Sequence, residues 1–191
     1  MSGAVVLQTE RLELREWGEG DDEAFAEHLN TPKVMRWLGG LLSAEAVAEA
    51  AGRYRRWQAE RGYTFWIMRR RADGAWLGFC GLKIADSLGS SVAGELEIGW
   101  RLREDAWGRG FAGEAAAACL GHAFEALGAA RVVSVTVAGN RASWTLMERL
   151  GMRRRPELDY TDPRYAGELT PAIVHQITRA EWDGARRGRK S

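Results

Sequence analysis

Short runs of alternating apolar and polar residues, separated by stretches with helical spacing, set the plan of this chain. Leu12 and Leu14 alternate with charged neighbours across residues 11–15, which predicts a first strand. Asp21 and Asp22 mark a helix start, and Phe25 and Leu29 stand four apart on one helical face. Ser43 is placed to cap a second helix to residue 60, with Val47, Ala50, Tyr54 and Trp57 as its apolar stripe and Gly62 as its stop. Residues 63–70 and Trp76–Ile84 flank Asp73-Gly74, the pattern of a hairpin. A loop over 87–94 leads to a strand over 95–102. There Leu96, Ile98, Trp100 and Leu102 share one face, and Glu95, Glu97, Gly99 and Arg101 the other.

The second half continues the alternation of elements. Residues 114–127 read as a helix, Arg131–Val137 as a β-branched buried strand, and 140–150 as a short helix ended by Gly151. Residues 153–160 and Ala172–Thr178 read as two further strands. Strands, helix, strand, helix, strands in that order predict an α/β or α+β fold, a mixed sheet with helices on its faces, in one domain over 1–191. Residues 184–191, with Arg186, Arg187, Arg189 and Lys190, read as a flexible basic tail.

Composition narrows the classes. Hydrophobic residues at 46% and charged residues at 28% are ordinary for a soluble globular chain. The apolar runs are too short to span a bilayer and no secretory signal is visible, so a cytoplasmic protein without a membrane is expected. A formal net charge of +1 argues against a nucleic-acid binder. Cys80 and Cys119 lack metal-ligand spacing and read as buried thiols of a reducing compartment.

One segment carries chemistry. Gly108, Gly110 and Gly113, within Trp107-Gly108-Arg109-Gly110-Phe111-Ala112-Gly113-Glu114, spell G-x-G-x-x-G between a strand and a helix. A Rossmann site wants its glycines at a strand end and an acid on the next strand. Here Arg103-Glu104-Asp105 intervenes, and the next strand ends Thr136-Val137-Ala138-Gly139 without an acid. A Walker loop fails because no Gly-Lys-Ser/Thr follows. The readings left are a plain glycine-rich turn and the pyrophosphate loop of coenzyme A. In the latter, unsatisfied N–H groups at a helix start favour an anion, small residues let it approach, and Arg109 adds a cation.

The same residues resemble the GCN5-related N-acetyltransferase (GNAT) superfamily, whose cofactor motif reads Gln/Arg-x-x-Gly-x-Gly/Ala. Trp107 to Ala115 is similar to the subgroup that acetylates ribosomal-protein N-termini (RimJ/RimL-like), with Trp107 departing from the general first position. The opening Thr9-Glu10-Arg11-Leu12-Glu13-Leu14-Arg15, the strand Glu97-Ile98-Gly99-Trp100-Arg101-Leu102, and Asn140-Arg141-Ala142-Ser143 with Leu150-Gly151-Met152 resemble that subgroup in the same order. The resemblance implies a mostly antiparallel central sheet splayed in the middle, with helices on both faces. It implies acetyl-CoA as co-substrate without a metal, a primary amine as acceptor, and a possible homodimer.

It also implies site residues. Glu97 is the first candidate for general base, with Glu95 behind it and Asp159 and Asp162 lower. Ser143 would assist the leaving thiolate. Ile98, Gly99, Trp100, Arg103, Trp107, Gly108, Arg109, Gly110, Phe111, Ala112, Gly113, Asn140 and Ser143 would contact the cofactor, a main-chain N–H near Ile98 or Gly99 meeting the thioester carbonyl. Arg141 is a weaker phosphate candidate. Trp37, Trp66 and Trp100 are read as core before pocket wall, and His28, His122 and His175 as packing or surface residues. A non-catalytic acyl-CoA-binding protein of the same fold is the alternative reading.

Overall fold

The computed structural model describes residues 3–187 of the chain. Eight strands form one mixed sheet in the order β1-β2-β3-β4-β5-β6-β8-β7. They are β1 Val5–Gln8, β2 Leu12–Arg15, β3 Phe65–Arg70, β4 Trp76–Ile84, β5 Leu96–Leu102, β6 Arg131–Val137, β7 Arg153–Arg154 and β8 Ala172–Thr178. The helices are α1 Asp21–Leu29, α2 Pro32–Met35, α3 Ala44–Arg61, α4 Phe111–Glu125, α5 Arg141–Arg149 and α6 Arg179–Arg187. Contacts divide the chain into two compact units. One comprises the chain up to Lys83 together with Gly99–Cys119. The other comprises Ile84–Ile98 together with the chain from Leu120 onward.

In the first unit β1 to β4 form an antiparallel meander, with Leu12 opposite Arg70 and Trp66 opposite Cys80. The pairing shifts between Met68 and Arg69, and Gly78 sits at that irregularity with φ of 135°. A Cβ there would lie 2.1 Å from the Arg101 carbonyl oxygen, so this crowded bend takes glycine alone. Over the meander pack the apolar faces of α1 and α3: Phe25, Leu29, Val47, Ala50, Tyr54 and Trp57 join Trp17, Phe65 and Phe79 in one buried cluster. The expected caps of α3 are present. Ser43 accepts from the Ala46 N–H at 3.2 Å, and Gly62 closes the helix in the left-handed conformation.

Asp21 opens α1 but does not cap it. Its carboxylate is buried and accepts a two-pronged pair from Arg15 at 2.7 Å, with a third bond from the Gly18 N–H at 2.6 Å. Losing either partner would strand a buried charge, which explains why the acid and the β2 arginine occur together.

In the second unit β6 and β8 pair antiparallel along their full length, from Arg131↔Thr178 to Val137↔Ala172. Val132, Val133, Val174 and Ile177 are fully buried, each contributing about 1.5–3 kcal/mol by leaving water. β5 runs parallel to β6, registered at Glu97↔Val133. Ala85, Val92, Val133, Tyr160 and Val174 form a second buried cluster.

Several expectations need correction. β1 and the short α2 were not predicted. Residues 153–160 do not form one strand but the two-residue β7 and a single bridge from Tyr160 to Ala172, because Pro156 lacks the N–H that a ladder needs and opens a 3-10 turn over Pro156–Leu158. The expected tail is helical as far as Arg187, since α6 seats Trp182 against Phe124 at 5.6 Å between ring centres. Residues 188–191 of that tail lie outside the described residues. No helix among the described residues is long and apolar enough to cross a membrane.

Candidate functional site

The glycine segment starts from β5. After Leu102 a 3-10 turn over Glu104–Ala106 carries the chain to Trp107, whose indole N–H donates to the Leu102 carbonyl at 2.8 Å. Gly108 and Gly110 then adopt φ of 70° and 79°, a left-handed geometry that turns the backbone sharply into α4. The helix starts at Phe111, one turn before the expected residue 114. That places Phe111, Ala112 and Gly113 in its first turn, where N–H groups have no intrahelical acceptor. The first N–H bond back into the turn is Glu114 to the Gly110 carbonyl, at 3.1 Å. Among the described residues no acceptor takes the N–H groups of residues 109–113. The Arg109 side chain is exposed. A loop of open amides, a helix dipole and an exposed cation together suit a phosphate group.

The loop is fastened from the other side. Glu114 accepts the Thr9 hydroxyl at 2.6 Å, the Arg11 N–H at 2.8 Å and the Arg11 Nε at 2.6 Å. Arg11 Nη1 donates to the Arg109 carbonyl at 3.0 Å, and its guanidinium lies 4.8 Å from the centre of the Phe111 ring. Burial raises the Glu114 pKa, but the bonds from Thr9 and Arg11 outweigh it and hold the carboxyl below its ordinary 4.5. Sequence reading did not single out Thr9, Arg11 or Glu114 as site residues.

Other residues of the first unit fall as follows. Arg103 is held by Asp105 at 2.6 Å and reaches the Trp76 carbonyl. Gly99 lies against the Phe65 ring, which a Cβ would approach to 3.1 Å. Trp100 is half-buried, and Trp37 stacks under Arg36 at 4.4 Å. Trp66 is fully buried and bonds Gln58, a core residue. Cys80 and Cys119 are free thiols in contact at 3.7 Å.

In the second unit Glu97 is half-buried opposite Val133. The next carbonyl along β5, that of buried Ile98, accepts the Ser134 hydroxyl at 3.0 Å. Asn140 does not cap α5 with its side chain. Its amide donates to the Thr136 hydroxyl at 3.1 Å. Ser143 follows in the first turn of α5 and is half-buried. Arg141 lies 5.7 Å from the Trp144 ring centre.

The other three acids named from the sequence each meet an arginine. Glu95 is paired with Arg131 at 2.8 Å. Asp159 is paired with Arg154 and accepts from the Val174 N–H at 3.1 Å. Asp162 is buried in a fork with Arg164, which holds its carboxyl below the ordinary 3.8 and makes it a poor base. Among the described residues no group of three or more His, Cys, Asp or Glu side chains is set to hold a metal ion.

His175 is buried in β8, and its Nδ1 has no partner among the described residues. Burial first, and then Arg154, push its pKa below 6.5, while Glu148 and Asp159 oppose them. The neutral ring is therefore the folded form. Its contribution to stability is complete above pH 6.5 and is lost as pH falls from there through the lower folded value. Urea midpoints measured between pH 7.5 and 5 should fall less steeply for His175→Asn than for the parent chain.

The sheet and helices place the chain among known proteins by comparison. The family described as Acetyltransferase (GNAT) domain matches residues 11–153. The chain belongs to the GNAT acetyltransferase family. It is 30% identical over 153 residues to the uncharacterized protein YkkB of Bacillus subtilis, covering 80% of this chain and 87% of that one. A crystal structure of an acetyltransferase from Agrobacterium tumefaciens superimposes with a TM-score of 0.77 at 27% identity, over 90% of this chain and 92% of that one. A spermidine N-acetyltransferase from Vibrio cholerae, solved with CoA and spermine, shares the fold at a TM-score of 0.68 and 15% identity, over 91% and 99% of the two chains.

Proposed function

We propose that the chain is an acetyl-CoA-dependent N-acetyltransferase that acetylates a primary amine, a protein N-terminus or a small molecule, by direct attack in a ternary complex. The observation that carries the reading is the run of unpartnered N–H groups at residues 109–113, where α4 begins. The amides of Arg109, Gly110, Phe111, Ala112 and Gly113 and the Arg109 guanidinium hold the diphosphate. Gly108 sets the turn, and Trp107 braces it through Leu102. Arg103 and Trp100 are secondary contacts of the donor.

The chemistry follows from the bonds exchanged. The amine nitrogen attacks the thioester carbon, an N–C bond forms, the C–S bond breaks, and CoA leaves as its thiol. Glu97 takes the proton the amine must lose, directly or through a water. A main-chain N–H at Ile98 or Gly99 stabilises the charge that develops on the thioester oxygen. Ser143 donates a hydrogen bond to the departing sulfur, which takes its proton from solvent, and Asn140 holds a pantetheine amide. A thiol with pKa about 8.5 leaves readily, so positioning outweighs acid catalysis. The two buried thiols suit a reducing compartment such as the cytoplasm.

The test is release of free thiol from acetyl-CoA against a panel of peptides with free N-termini, polyamines, amino acids and aminoglycosides. The reading expects at least one acceptor to raise the rate well above hydrolysis. No acceleration by any amine class would contradict it.

A further inference from the structure

The geometry points to Arg11 as the residue that shapes and neutralises the phosphate-facing loop, a positioning residue for the diphosphate of the acyl donor. This inference rests on the acetyl-CoA reading above and adds to it a role for the turn between β1 and β2, more than a hundred residues upstream in the chain.

The reasoning begins with charge. Glu114 places a carboxylate in the first turn of α4. Such an acid stabilises a helix start but repels an anion bound there. Three donors meet this carboxylate: the Thr9 hydroxyl, the Arg11 N–H and the Arg11 Nε. The guanidinium thus cancels the charge that would otherwise oppose a diphosphate one turn away.

Geometry adds a second role. Arg11 Nη1 holds the Arg109 carbonyl. The carbonyl and N–H of one trans peptide point in opposite directions. Fixing the Arg109 oxygen on Arg11 therefore turns the Gly110 N–H away from Arg11, towards the open side of the turn. The same guanidinium lies over Phe111, the first residue of α4, and would meet a Cβ at Gly110 at 3.3 Å. One planar side chain thus meets residues 109, 111 and 114 and leaves room at 110 for glycine alone. Lysine, a point charge, cannot make the same fork.

The experiment measures KM for acetyl-CoA and for acetyl-pantetheine, which lacks the diphosphate, with the best acceptor. Arg11→Ala should raise the acetyl-CoA KM about tenfold and leave the acetyl-pantetheine KM where it is. Arg11→Lys, which keeps the charge and is the milder change to folding, should give an intermediate rise. Arg11→Ala combined with Glu114→Gln should recover part of the loss, because the stranded carboxylate is gone. An acetyl-CoA KM within twofold of the parent in both single variants would overturn the inference. So would an equal rise for both donors. If the parent chain itself does not bind CoA, the acetyl-CoA reading fails first, and the two failures are told apart.

Discussion

Glu97→Gln is expected to lower kcat for acetyl transfer by about 10²–10⁴-fold, the usual worth of a positioned general base, while the affinity for CoA stays within about twofold. The expectation rests on the place of Glu97 in β5. The residue is half-buried on β5 at the registered pair with Val133, next to the Ile98 carbonyl that Ser134 fixes. Glutamine keeps the shape and removes the proton acceptor, so turnover falls and donor binding does not. Ser143→Ala should act in the same sense and less strongly. A non-catalytic acyl-CoA-binding protein has no turnover to lose. Steady-state kinetics beside CoA titrations separate the cases, and an unchanged kcat in Glu97→Gln would remove the residue from the mechanism.

Phe79→Ala is expected to destabilise the fold by about 3–5 kcal/mol. Phe79 is 2% exposed and stacks on Phe65 at 5.4 Å with an interplanar angle of 12°. It meets Phe25 edge-on at 5.9 Å and Tyr54 at 5.5 Å. Truncation removes a ring that four other aromatic residues pack around, and rigid rings on a meander collapse poorly into a void. Against a total stability of about 5–15 kcal/mol, this loss should lower Tm by roughly 6–20 °C at about 2–4 °C per kcal/mol. Because Phe65 leans on Gly99, loosening Phe79 should also disturb β5 there. Thermal and urea unfolding check this, and a Tm shift below about 2 °C would show that the cluster tolerates the cavity.

The strongest periodic signals in the sequence located most of the fold. The stripe of Val47, Ala50, Tyr54 and Trp57 is the buried face of α3, and the β-branched run Arg131–Val137 is β6. Signals failed where the pattern was too short or too uniform. Val5, Val6 and Leu7 do not alternate, so β1 gave no period-two trace. Four residues of α2 are too few for a helical repeat. The glycines at 110 and 113 delayed the expected start of α4, although first-turn positions with open N–H groups tolerate such residues.

The candidate site was legible in part, and for a physical reason. Motif residues contiguous in sequence, such as Gly108 to Gly113, announce themselves by composition. Contacts made by folding do not. Thr9 and Arg11 reach Glu114 across more than a hundred residues, and neither end predicts the other. Both ends lay in blocks that resemble the family, but the blocks did not reveal that one fastens the other. Likewise the arginine partners of Asp159 and Asp162 became visible only once the side chains were placed.

The most direct test of the central claim is calorimetric titration of the full chain with CoA and, separately, with NAD. Open amides at the start of α4, facing a diphosphate of the CoA kind, predict a saturable heat with CoA and none with NAD. Saturable binding of NAD with no heat from CoA would contradict the account and return the glycine segment to a dinucleotide site.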